Sequence, residues 1–171
     1  MRPVISPRIW LLVAVLPLLL TACSPTREIA RRNTATPSAT EAAPLDATTR
    51  TVIQTAKSYA GTPYKYGGTT RAGMDCSGLV YTSFLAADKT LPRSSSAMAQ
   101  TGTPVDRKNL RPGHLVFFSY NTAGKVGHVG LVIQVKNGDA EFIHATTQLG
   151  VTTSWLSDPH WDSRFVKAII P

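Results

Sequence analysis

Cysteine is scarce in this chain: two residues in 171, Cys23 and Cys76. That excludes a disulfide-stapled scaffold. Long hydrophobic runs are also missing. The longest, residues 9–20, is interrupted by Pro17, whereas a spanning helix needs about 20 apolar residues. Lys and Arg do not cluster with interleaved aromatics, so the formal net charge of +8 does not point to nucleic acid. The spread-out basic residues read as a solvated face. The four histidines, His114, His128, His144 and His160, show no helix-ligand spacing. None is paired with a nearby cysteine or carboxylate in a metal-site pattern, so neither a metal nor a cofactor is expected. There is no internal repeat and no second core's worth of chain, and a monomer is expected.

What is present at the start reads as an export signal. Arg2 and Arg8 make a positive segment, the apolar run follows, and Leu20-Thr21-Ala22-Cys23 places small residues before a cysteine. This is the layout of a signal peptide. The tetrad resembles the lipobox of bacterial lipoproteins. That resemblance implies a signal peptide over residues 1–22, cleavage before Cys23, and lipidation of its thiol, with more than one acyl chain to anchor the protein firmly. The residue after Cys23 is Ser24 rather than aspartate. The expected location is therefore the cell envelope, on the outer membrane facing the periplasm. Residues 24–48 are rich in Thr, Ala, Ser and Pro and poor in large apolar side chains. Such a stretch cannot bury enough surface to offset its ordering entropy, and 23–48 reads as a lipidated cysteine and flexible tether. One domain, 49–171, remains.

Within that domain helical periodicity comes first. Val52, Ile53, Ala56, Tyr59 and Ala60 form an i, i+3/i+4 stripe over residues 50–60, stopped by Gly61 and Pro63. Residues 64–70 read as a loop with aromatic anchors. Cys76 opens a second helix with Leu79, Val80, Phe84 and Leu85 on its apolar face. A short helix is expected after Ser94–Ser96, running through Gln100. Then the period changes. Residues 115–118, 128–135, 141–146, a piece near Val151, and 165–170 read as strands, and Asn137-Gly138 is a hairpin signal. Helices first and strands second predict an α+β fold, with N-terminal helices packed on a small antiparallel sheet.

With Cys23 assigned to lipid, Cys76 is a lone thiol in an exported protein, a candidate nucleophile. A cysteine attacks as thiolate, and a helix N-terminus and a nearby histidine both favour that form. His128, preceded by Gly127 at the start of an apolar strand, is the candidate base. His144, across the predicted hairpin, is the candidate third group that fixes its tautomer. The register opposes this. A strict Asn137-Gly138 turn sets His144 opposite Leu131 and His128 opposite Thr147, three residues out of step and on opposite faces. Contact between the histidines requires a bulge or a wider turn, and Gly130 is one place for it.

Several segments, taken in order, resemble a known family. They are Gly61-Thr62-Pro63-Tyr64-Lys65-Tyr66-Gly67-Gly68, Asp75-Cys76-Ser77-Gly78-Leu79-Val80, Leu91-Pro92-Arg93-Ser94-Ser95, Pro112-Gly113-His114-Leu115-Val116-Phe117-Phe118, His128-Val129-Gly130-Leu131 and Phe142-Ile143-His144-Ala145. The chain is similar to the NlpC/P60 cell-wall cysteine peptidases, and within them to lipid-anchored murein endopeptidases. The resemblance implies a papain-like NlpC-type domain and hydrolysis of amide bonds in peptidoglycan stem peptides or cross-links. By motif, Cys76 is the nucleophile, His128 the base and His144 the polar third residue. Tyr64 matches the family tyrosine near the oxyanion. Asp75, Ser77, Arg93 and Ser95 are implied in holding substrate. His114 departs from the family's usual aspartate after the Pro-Gly turn, and altered local hydrogen bonding is expected there. The competing reading is a non-catalytic wall-binding or scaffold lipoprotein of the same fold.

Overall fold

The computed structural model describes residues 44–120 and 124–171. The signal peptide, Cys23 and nearly all of the tether lie outside the described residues.

The first helix, α1 (Ala47–Ser58), starts within the segment read as tether. Its start is dictated by Asp46, whose carboxylate accepts from the Thr49 N–H at 2.9 Å and from the Thr49 hydroxyl at 2.7 Å. A carboxylate at that position satisfies one of the orphan N–H groups of a first turn. Val52, Ile53 and Ala56 are buried, as the stripe predicts. The region read as an aromatic loop ends in β1 (Thr69–Thr70), which forms a small hairpin with β2 (Gly73–Met74). The second helix, α2 (Cys76–Leu85), opens on Cys76 as expected. Its apolar face differs by one residue: Leu85 is 48% exposed, and Ser83 is fully buried in its place. The Ser83 hydroxyl donates to the Leu79 carbonyl at 2.7 Å, so a polar residue is accommodated at a core position. A four-residue helix, α3 (Ser95–Met98), is capped by Ser94.

The remaining chain forms a six-stranded sheet: β3 (Thr103–Val105), β4 (Leu115–Ser119), β5 (Val126–Lys136), β6 (Asp139–Thr146), β7 (Gly150–Trp155) and β8 (Phe165–Ile170). Every pairing is antiparallel, in the order β3-β8-β4-β5-β6-β7. Sequence periodicity did not reveal β3 or the short α4 (Pro159–Asp162). Both are too brief to show a period.

Alternation along the strands divides the core into two layers. Leu115, Phe117, Val129, Leu131, Ile143 and Ala145 pack with Val52, Ile53, Ala56, Leu79 and Val80 of the helices. Val116, Phe118, Val132, Phe142 and Ala168 face the other way and pack with Leu156 and Trp161 of the segment carrying α4. The helix-covered sheet is the α+β arrangement expected from the order of elements.

The β5–β6 hairpin resolves the register conflict. Lys136 pairs with Asp139 and Gln134 with Glu141, as a strict two-residue turn demands. The register then shifts between Val132 and Gln134, so that Val132 pairs with Phe142 and Leu131 with Ile143. Ile133 is the extra residue. Because the side-chain period is two, one inserted residue moves every later position of β5 to the other face. His128 and His144 thereby fall on the same face. The bulge stands at Ile133 rather than Gly130.

Candidate active site

Asp75 carries out three local tasks. It caps α2, with Oδ1 accepting from the Gly78 N–H at 2.6 Å. Its Oδ2 accepts from the Gly67 N–H at 2.7 Å, tying down the preceding loop. Arg93 donates to both oxygens, Nη1 to Oδ1 at 3.0 Å and Nη2 to Oδ2 at 3.2 Å. Arg93 also donates to the Ser77 hydroxyl at 2.9 Å and to the Gly68 carbonyl at 3.1 Å. Burial pushes the Asp75 carboxyl up, but Arg93 and the Gly78 and Gly67 amides outweigh it and hold its pKa below the usual value. Gly78 is required by space: a Cβ there would lie 2.1 Å from the Gly68 carbonyl oxygen and 2.9 Å from Arg93 Nη2. Asp75, Ser77 and Arg93, three of the four residues implied in holding substrate, therefore form one saturated cluster. Ser95 opens α3 next door, and the cluster's hydrogen bonds do not run through it.

Cys76, the first residue of α2, is 6% exposed. It is a free thiol. Burial is the largest influence on it and pushes its pKa up to about 11; the Val129 amide pulls it down, and the Asp75 charge pushes it up again. The helix start alone therefore does not make a resting thiolate here. Tyr64 is half-buried against the helix-side core. Burial, then the proximity of Cys76 and Asp75, raises its pKa, so its hydroxyl stays protonated and able to donate.

On the sheet, side chains from four segments make a continuous hydrogen-bonded chain. His128 Nε2 meets His144 Nδ1 at 2.9 Å. His144 Nε2 meets the Ser154 hydroxyl at 3.1 Å. His128 Nδ1 meets the Tyr120 hydroxyl at 2.9 Å. Both histidines are 0% exposed. Trp161 stacks on His128 with ring centroids 5.2 Å apart at 21°, and lies edge-on to His144 at 4.7 Å. Burial drives the His128 pKa down to about 4, with His160 adding to the shift, and drives the His144 pKa down to about 3, with His128 and then His160 adding to it. Both are neutral at pH 7, so each carries one N–H. For His128 Nδ1 to accept a proton, Nε2 must hold the hydrogen and donate to His144 Nδ1. His144 then donates from Nε2 to Ser154. In that tautomer chain Nδ1 keeps its lone pair and could take up a proton, and His144 could accept from the imidazolium so formed.

Sequence reasoning brought Cys76, His128, His144 and Tyr64 to the same region but missed Tyr120, Ser154 and Trp161. Ser154 had a usable signal: it lies two residues from Thr152, the cross-strand partner of His144, and so on the same face. Tyr120 and Trp161 carried no local signal. His114 Nδ1 accepts from the Arg111 N–H at 3.1 Å and closes the turn before β4. His160 lies beside Trp161, centroids 4.7 Å apart. Among the described residues no group of three or more His, Cys, Asp or Glu could hold a metal ion. Nor is any described helix long and apolar enough to cross a membrane.

A cysteine opening a helix against a sheet that carries a buried, hydrogen-bonded histidine pair defines an α+β papain-like fold of the cysteine-peptidase class. Residues 61–170 match the NlpC/P60 family, and the chain belongs to that family. It is 41% identical over 113 residues to "Probable endopeptidase NlpC" of Escherichia coli K12, covering 66% of this chain and 71% of that one. It is 39% identical over 109 residues to "Murein DD-endopeptidase MepS/Murein LD-carboxypeptidase" of the same organism, covering 63% and 55%. A solved NlpC/P60 family protein from Bacillus cereus superposes with a TM-score of 0.65 at 31% identity, covering 75% of this chain and 42% of that one. The chain thus spans about half the length of the last two.

Proposed function

We propose that this protein is a cysteine endopeptidase that hydrolyses amide bonds of peptidoglycan stem peptides or cross-links. The observation that carries the reading is the coupled histidine pair, with a base tautomer readied at His128, in a family domain whose cysteine opens a helix. In the reaction the Cys76 sulfur attacks the amide carbonyl and its proton passes to His128 Nδ1. His128 returns that proton to the leaving amine, leaving a thioester. Water, deprotonated by His128, then releases the carboxylate product and regenerates the thiol. The Cys76 backbone N–H and the Tyr64 hydroxyl would stabilise the oxyanion. The family resemblance assigns the holding of a stem-peptide amine or carboxylate to Asp75, Ser77, Arg93 and Ser95. The name of the E. coli relative MepS supports a murein substrate.

Lipidation at Cys23 and residence on the outer membrane facing the periplasm belong to the same proposal and rest on the Leu20-Thr21-Ala22-Cys23 tetrad. An anchor would raise the enzyme's effective concentration next to an insoluble polymer. The alternative, a wall-binding lipoprotein without turnover, draws on the raised thiol of the resting site. Digestion of purified murein sacculi separates the two. Wild-type protein releases peptides, and Cys76→Ala, correctly folded by circular dichroism, releases none. Equal release by both sinks the catalytic reading, and weighing the released muropeptides identifies the bond cut.

A further inference from the structure

Tyr120 follows the last residue of β4 and is 61% exposed. Its hydroxyl nevertheless engages His128 Nδ1 at 2.9 Å, and the two rings lie 5.6 Å apart. Nε2 of the same imidazole is held by His144, so Nδ1 is the atom left to receive the Cys76 proton. The Tyr120 ring rests on Gly127: a Cβ at that position would lie 2.6 Å from Tyr120 Cδ2 and 3.3 Å from Cε2. Gly127 therefore makes the seat that lets the ring lie across the mouth of the base.

We propose that Tyr120 is a positioning residue that holds the proton-accepting nitrogen of His128 in the unliganded enzyme and is displaced when the substrate peptide binds. The proposal rests on the reading of Cys76 and His128 as nucleophile and base. The hydroxyl donates to Nδ1, which fixes the tautomer that directs Nε2–H at His144. While it donates, the Nδ1 lone pair is occupied and the Cys76 proton has no acceptor. The resting pair is kept uncharged, which protects an exported thiol from alkylation and oxidation. The exposure of the Tyr120 ring leaves it open to displacement by an incoming chain.

The groups facing His128 are Tyr120, His144 on β6, and His160 beside the stacked Trp161, while Cys76, Tyr64 and Asp75 act on Tyr120. Apart from the Tyr120 hydroxyl itself, none of them is altered in the two variants that test the idea. Tyr120→Phe keeps the ring on its seat and removes the hydroxyl. Gly127→Ala keeps the hydroxyl and pushes the ring off. The full-length protein is alkylated with iodoacetamide across a pH series, and Cys76 labelling is followed by mass spectrometry. In both variants labelling near neutral pH is expected to rise about five-fold or more and its midpoint to move to lower pH. Muropeptide kinetics should show a lower KM with kcat within about two-fold, because binding no longer includes the displacement. A labelling profile that is unchanged or slower in both variants overturns the proposal. Cys76→Ala separates the failures: if it still digests sacculi, the catalytic reading fails, whereas if it is inactive and the profiles do not move, only the role of Tyr120 falls.

Discussion

At the start of α2, a charged carboxylate is saturated by partners drawn from residues 67–93, a short stretch of chain. On the sheet, four uncharged groups from residues 120–154 line up from the residue after β4 across β5, β6 and β7. The first half is built locally, by a cap, a neighbouring loop and one arginine. The second depends on strand register accumulated over a hairpin. Local construction tolerates changes elsewhere in the domain. Construction by register fails all at once when one residue is added or removed.

The sharpest way to break that contrast is to delete Ile133. Removing it restores the strict register, and His128 and His144 move to opposite faces of the sheet. Activity on sacculi is expected to fall to background, while the cluster around Asp75 is untouched. Ile133→Ala removes comparable apolar volume, at a cost of about 2–4 kcal/mol, but keeps the residue count and should stay active below its melting temperature. Equal activity in the two variants would show that the bulge does not set the site.

Legibility follows the same division. The residues around Cys76 were readable because cap, cysteine and glycine are contiguous and their chemistry is local. Ser77 and Arg93 could be named, but not their mutual saturation, since that depends on how the 91–95 segment folds back. His128 and His144 could be named and their need for an extra residue deduced. The position of that residue could not be, because Gly130 and Ile133 serve the count equally and packing decides: a Cβ at Gly130 would lie 2.4 Å from Phe142 Cδ2. Trp161 was invisible because its role comes from α4 reaching across the outer sheet face, a contact with no trace in local periodicity.

A smaller effect is expected at His144. His144→Ala leaves the His128 N–H without its acceptor and the imidazolium without a partner. A drop in kcat of about 10²-fold is expected, within the range of general-base contributions. His144→Asn places an amide oxygen near the former Nδ1 and should recover part of the loss. The measurement is single-turnover hydrolysis of a muropeptide. A KM effect with unchanged kcat would mean that His144 shapes the groove instead of orienting the base.

The smallest effect, a graded loss of stability with acid, distinguishes the two halves by the pH at which each fails. Burial holds His128 at about 4 and His144 at about 3, against 6.5 for a free imidazole. Between these values the unfolded chain binds more protons than the folded one, so stability rises with pH. The contribution is complete above 6.5 and is lost as pH falls toward 4. Asp75 behaves differently: its lowered pKa contributes stability above 3.8 that is lost only below that value. Urea unfolding at about pH 7, 5.5 and 4.5 should therefore show a loss on the order of a few kcal/mol on the histidine side alone. His144→Asn carries no such proton and should flatten the slope, while Arg93→Ala leaves burial to push Asp75 up and should therefore cost most at pH 7 and less at 4.5. A flat wild-type profile from pH 7 to 4.5 would mean that the histidines titrate normally. The buried neutral chain would then have to be abandoned, together with the tautomer it imposes on the base.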